Sequence, residues 1–202
     1  MLALVVVHLF AVMSPGANFL IVARNSLTYS RQTGLMTVRG VALGSLFYIT
    51  IGIFGFATVI SQSPPIFNVI RLLGAGYFFY TGIRALLSLR KPSRFAEQLE
   101  APVSLTRRQA FFSGLLTSVS NATSALYFLA LFTTFVPTSA AWQEKGFTAL
   151  VLISITFTWY TFLALTLSRS RVRQFYRRFE RWFSGLIGFL WLFLAFKLLG
   201  AS

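Results

Sequence analysis

The chain has 202 residues, of which 56% are hydrophobic and 11% charged, with a mean hydropathy of +0.72. Average globular chains are about 25% charged, so this one has too little polar surface to coat a water-soluble particle, and an ordinary soluble domain is excluded. Eighteen Lys and Arg stand against four Glu and no Asp, for a net charge of +14, and the absence of Cys with a single His excludes a disulfide framework, a thiolate centre and a His-based metal cluster within one chain.

A helix needs about 20 apolar residues to cross roughly 30 Å of hydrocarbon. Six largely uncharged stretches of that order follow one another, over residues 2–23, 40–60, 66–89, 109–136, 146–167 and 182–199. The first lacks a basic leading segment and a small-x-small cleavage site, and is read as a retained helix. Deep inside it lies Ser14-Pro15-Gly16-Ala17-Asn18. Pro15 removes a hydrogen bond to the preceding turn, and Gly16 is expected to let the backbone bend or open. Freed backbone groups there, with the Asn18 amide, could bind the carboxylate and ammonium of a small zwitterion; a packing kink without a ligand fits the same residues. His8 is the titratable group well inside this span, and is the candidate for carrying a proton, against the alternative of a neutral hydrogen-bonded residue.

Arg39 opens the second stretch, where it could snorkel to lipid phosphates or greet a substrate carboxylate on its path. Gly40-x-x-x-Gly44, the Gly74 to Gly82 stretch and Gly185-x-x-Gly188 allow close helix approach and are compatible with a homodimer. Residues 61–65, Ser-Gln-Ser-Pro-Pro, join the second and third stretches in a tight polar turn. The fourth stretch holds Thr117-Ser118-Val119-Ser120-Asn121-Ala122-Thr123-Ser124, a run of small and hydroxylated residues. Such side chains often only hydrogen-bond between helices. Two irregular segments at similar depth, however, are what a midplane substrate site in a repeat transporter requires.

Fifteen of the eighteen basic residues fall between stretches one and two, three and four, and five and six, counting Arg84 near the end of the third stretch. The positive-inside rule therefore puts these loops in the cytoplasm and both termini outside, with the basic residues meeting anionic lipid headgroups rather than nucleic acid. Three helices per half force equivalent helices to cross in opposite directions. Pro15 with Asn121, Gly34 with Gly146 and Gly74 with Gly185 pair at a nearly constant offset. The expected architecture is all-α: one polytopic membrane domain over 1–202, with six transmembrane helices in two inverted three-helix repeats. Its parts are a first half over 1–90, a cytoplasmic linker over 91–108 and a second half over 109–202.

No paired carboxylates fall within the spans, and the H-E-x-x-H, G-x-S-x-G and G-x-x-x-x-G-K-[ST] motifs are absent. No catalytic residue, metal ligand or cofactor is predicted.

Ser14-Pro15-Gly16-Ala17-Asn18-Phe19-Leu20-Ile21-Val22, then Gly34 and Gly40-Val41-Ala42-Leu43-Gly44, resemble the LysE/RhtB family of bacterial amino-acid exporters. The resemblance continues through Leu73-Gly74-Ala75-Gly76-Tyr77, Gly114-Leu115-Leu116-Thr117, Asn121, Tyr127-Phe128 and Trp182 to Gly188, and so spans nearly the whole chain. It implies proton-driven export of small amino acids or derivatives across the bacterial inner membrane, most like the threonine and homoserine type. The substrate would lie near Ser14, Pro15, Gly16 and Asn18 from one half and Ser120, Asn121 and Thr123 from the other. Three positions depart from the family: Ala17 replaces the second proline of Pro-Gly-Pro, Asn121-Ala122-Thr123 replaces Asn-Pro-Lys, and Ser184 replaces an Asp. A cationic substrate thus lacks a counter-charge, which favours a neutral zwitterion. A passive facilitator and a membrane scaffold without transport are the other readings these residues allow.

Overall fold

The computed structural model describes residues 1–62, 64–89, 104–137, 139–167 and 170–200. Among these the chain is all-helical: α1 (Leu2–Met13), α2 (Ala17–Thr28), α3 (Arg31–Gln62), α4 (Pro64–Ser88), α5 (Arg107–Val119), α6 (Ala122–Phe135), α7 (Trp142–Thr166) and α8 (Ser170–Gly200). Six apolar stretches become eight helices because the first and fourth each break in two. Of the linker expected over 91–108, residues 91–103 lie outside the described residues, and so does Arg169.

The two breaks have different causes. In the first, Ser14 takes the extended conformation that a following proline imposes, with φ −63° and ψ 136°, and α1 ends one residue earlier. Gly16 caps α2 at φ −96° and ψ −174°, a conformation open to any residue, so the proline and not glycine's freedom makes the turn. The second break contains no proline. Asn121 turns extended, at φ −78° and ψ 98°, and its side-chain oxygen accepts the Thr123 N–H at 3.0 Å. An amide that supplies its own acceptor competes with the helix and starts a new one. The paired axes bend by 51° at the first break and 56° at the second.

By length and composition, α3 over Arg31–Ile53 and α7 suffice to cross a membrane, and each bent pair does so if counted as one span. Among the described residues, α4 and α8 contribute the apolar segments Leu72–Leu87 and Ser184–Lys197. The multi-pass character read from the sequence follows, since helices satisfy their own backbone groups where no water can.

Helix α3 packs along α5 and against α2, α6 and α7, while α4 pairs with α8. The α3–α5 contact is backbone-close, because Gly40 meets the Phe111 carbonyl, Gly114 meets the Thr37 carbonyl and Gly44 meets Ser118. Two apolar clusters form. One gathers Leu4, Val7, Ile49, Tyr127 and Leu152, and the other Val12, Phe19, Val38, Val41 and Leu163. Along α1, α3 and α7 the clusters follow one another, and buried polar residues fall between them: His8 after Val7, Ser45 after Val41, Thr156 after Leu152. A polar layer thus divides two apolar ones.

Candidate functional site

The two breaks meet each other. Asn18, in the first turn of α2, points its Nδ2 at Ser118 Oγ, 3.4 Å away in the last turn of α5, and at Ser124 Oγ, 3.5 Å away in the first turn of α6. These are long, weak hydrogen bonds. Its Oδ1 is buried and has no partner. A buried acceptor left unpaired costs about 1–3 kcal/mol, which a donor arriving on a ligand would recover.

The N-termini at the breaks are also unlike. Helix α6 is capped by the side chain of Asn121, whereas Gly16 gives α2 no side-chain cap. A β-carbon at Gly16 would meet nothing closer than the Ser14 carbonyl at 3.9 Å, so the backbone there is approachable. An approachable helix N-terminus favours an anionic group, and the neighbouring Asn18 oxygen favours a donor. The pair suits the carboxylate and ammonium of one small molecule.

His8 lies in the same polar layer with 1% of its surface exposed. Its Nδ1 is 2.8 Å from the Tyr127 hydroxyl on α6, and its Nε2 is 2.9 Å from Thr156 Oγ1 and 3.1 Å from the Leu152 carbonyl, both on α7. The ring therefore ties the first arm of one broken helix to the second arm of the other. Tyr77 on α4 pairs its hydroxyl with Thr123, and Tyr77 and Tyr160 both lie close enough to Tyr127 to interact with it electrostatically.

Of the residues named from the sequence, Ser14, Pro15, Gly16 and Asn18 sit half-buried at the first break, and Asn121 is half-buried at the second. Ser120 is exposed and donates to the Leu116 carbonyl at 2.6 Å, and Thr123 is exposed beside Tyr77. Arg39 is not brought to the breaks. It lies two turns into α3, exposed, with its guanidinium 3.7 Å from the Met36 sulfur. The sequence reading did not single out Ser118, Ser124, Tyr127 or Thr156 as site residues. The first two lie in the hydroxylated run that pointed to the site, but Thr156 sits in an apolar helix and only its contact with His8 distinguishes it. Among the described residues, no group of three or more His, Cys, Asp or Glu could hold a metal ion.

The family model for the LysE type translocator matches residues 9–202. The chain is 36% identical over 178 residues to the uncharacterized membrane protein YahN of Escherichia coli K12, covering 87% of this chain and 78% of that protein. It is 30% identical over 196 residues to the threonine efflux protein of the same strain, covering 94% and 92%. To the threonine efflux protein of Salmonella typhimurium it is 28% identical over 186 residues, covering 91% and 89%. No solved structure matches.

Proposed function

Because the chain belongs to the LysE type translocator family, we propose that it exports small neutral amino acids or their derivatives, threonine and homoserine among them, across the bacterial inner membrane. Export works by alternating access and is driven by protons. The observation that carries this reading is Asn18, held between Ser118 and Ser124 with its own oxygen unpaired. The substrate carboxylate docks at the open N-terminus of α2, its ammonium donates to Asn18 Oδ1, and Ser14, Ser120, the Asn121 amide nitrogen and Thr123 border the path. A net positive substrate is disfavoured. Glu144, the one carboxylate whose side chain is described, is exposed in the first turn of α7, away from any cation that the breaks would enclose.

Six crossings in two inverted halves, with the basic loops in the cytoplasm, complete the proposal. Helix pairing supports it: α3 packs on both arms of the second broken helix, α5 and α6, and α7 packs on both arms of the first, α1 and α2. The reciprocity is partial among the described residues, since α2 also packs on α3 and α4 on α6 with no comparable α6–α7 or α2–α8 contact. His8, buried between the halves, is the group assigned to carry the proton.

The test is efflux from cells preloaded with labelled threonine, homoserine and other neutral amino acids, comparing the protein with Asn18→Ala at matched membrane abundance, with and without an uncoupler. Efflux lost in the variant and in uncoupled cells supports the reading. Efflux indifferent to the uncoupler identifies a facilitator, and efflux of none of these solutes points to a scaffold.

A further inference from the structure

The hydrogen bonds around His8 determine which of its nitrogens carries the proton. The Leu152 carbonyl can only accept, so Nε2 donates toward it at 3.1 Å. Thr156 agrees, because its hydroxyl gives its one hydrogen to the same carbonyl at 3.0 Å and offers only a lone pair to Nε2. In the neutral ring Nδ1 is then bare, and the Tyr127 hydroxyl donates to it at 2.8 Å. All the partners of His8 are thereby committed except one. Tyr127 is the single contact whose role depends on whether the ring is charged, since a hydroxyl either donates or accepts.

We propose that Tyr127 is a positioning residue for proton-coupled transport, whose hydroxyl reverses when His8 takes up a proton at Nδ1 and passes that change to Tyr77 and Thr123 beside the second helix break. The inference rests on the exporter reading above. A proton from water binds Nδ1; the new N–H donates to Tyr127 Oη; the Tyr127 hydrogen swings off Nδ1 toward the other tyrosines. When the proton leaves, each step runs backwards, and no bond changes other than the N–H formed and broken. Tyr77 is buried in the same cluster as Tyr127. It pairs with Thr123, two residues past the Asn121 cap, so the proposed change at α1 and α7 has a route to the start of α6.

Few other groups intervene. Among the described residues the titratable side chains facing His8 are Tyr127 on α6 and, beyond it, Tyr77 on α4, Tyr160 on α7 and Tyr48 on α3, the last behind Phe128. From α8 the neighbour of Tyr127 is Trp191, which does not titrate. The described cations of α7 and α8, Lys145 over the Trp142 ring and Lys197 over the Phe135 ring, lie at helix ends. With no charged group among the described neighbours of His8, Tyr127 is the element that registers the proton.

Two measurements test this. His8 is the only histidine, so protein labelled with 15N-histidine gives a single imidazole, and its nitrogen resonances are expected to be those of the neutral Nε2–H tautomer. The Nδ1–H tautomer would overturn the proposal without touching the exporter reading. The second measurement uses inside-out vesicles, comparing equilibrium exchange of labelled threonine or homoserine with accumulation driven by an acid interior. In His8→Gln, which keeps a donor toward Leu152 but has no site for the proton, accumulation is expected to fall at least about tenfold while exchange falls no more than about threefold. In Tyr127→Phe, which loses only the hydroxyl, the pH dependence of accumulation is expected to shift while exchange persists. Accumulation by His8→Gln equal to the wild type, or an unmoved pH profile in Tyr127→Phe, overturns the proposal. Wild-type vesicles that exchange no neutral amino acid overturn the exporter reading and this inference together. The tautomer measurement needs no variant, so misfolding of either one leaves the proposal exposed to refutation.

Discussion

Gly114 on α5 lies directly against the carbonyl of Thr37 on α3, and Gly40 returns the contact one turn away against the carbonyl of Phe111. Neither carbonyl can move aside as a side-chain tip could, because each belongs to a helix backbone. Gly40→Ala and Gly114→Ala are each expected to destabilise the protein by about 1–3 kcal/mol through overpacking, read as a lower unfolding temperature in detergent. Gly76→Ala is the control. A β-carbon there meets nothing within 4 Å, so its unfolding temperature should stay level or rise by the small gain in helix propensity.

Asn121 has two ends with separate duties. Its Oδ1 caps α6 through the Thr123 N–H, and in the proposed function its Nδ2 borders the substrate path. Asn121→Ala should lose both, with a cost to stability of about 0.5–2 kcal/mol. Asn121→Ser keeps an oxygen at the cap, so it should retain the unfolding temperature and still lower efflux severalfold. Equal efflux by Asn121→Ser and the wild type would reduce Asn121 to a cap.

Asn25, buried on α2, donates to Thr37 Oγ1 at 2.9 Å and to Ser113 Oγ at 3.2 Å, fastening α2 to α3 and α5. Both hydroxyls already give their hydrogens to carbonyls of their own helices, Thr37 to Thr33 and Ser113 to Ala110. Asn25→Ala therefore strands no donor and should cost about 1–2 kcal/mol, with efflux kept once abundance is matched. Loss of efflux at full stability would move Asn25 into the substrate path.

Substrate binding should appear as stabilisation. A ligand that binds only the folded protein adds about 2.7 kcal/mol at a hundred times its dissociation constant, so saturating threonine or homoserine should raise the unfolding temperature of the wild type. In Asn18→Ala the same additions should raise it little or not at all. An equal rise in both proteins would place the ligand away from Asn18.

The amino-acid sequence by itself determined that the chain is helical and made for a bilayer, because composition and the length of apolar stretches set the solvent in which a backbone can be satisfied. It also located the first break, since Pro15 removes a donor wherever the helix is placed. It pointed to the second break less directly. Nothing in a run of hydroxylated residues says that Asn121, rather than Ser118 or Ser120, will turn extended and cap the helix that follows. Gly40 and Gly44 were legible as close-packing positions, but Gly114 opposite them, and the Phe111 and Thr37 carbonyls in the contact, were not. Only the tertiary structure decided that Asn18 would meet Ser118 and Ser124, and that His8 would find Tyr127 and Thr156, partners 119 and 148 residues away in the chain. The reason is physical. Backbone propensity and hydropathy act on residues near in sequence, whereas the partner of a buried polar group is chosen by which helices pack together. That choice depends on every interface in the bundle at once.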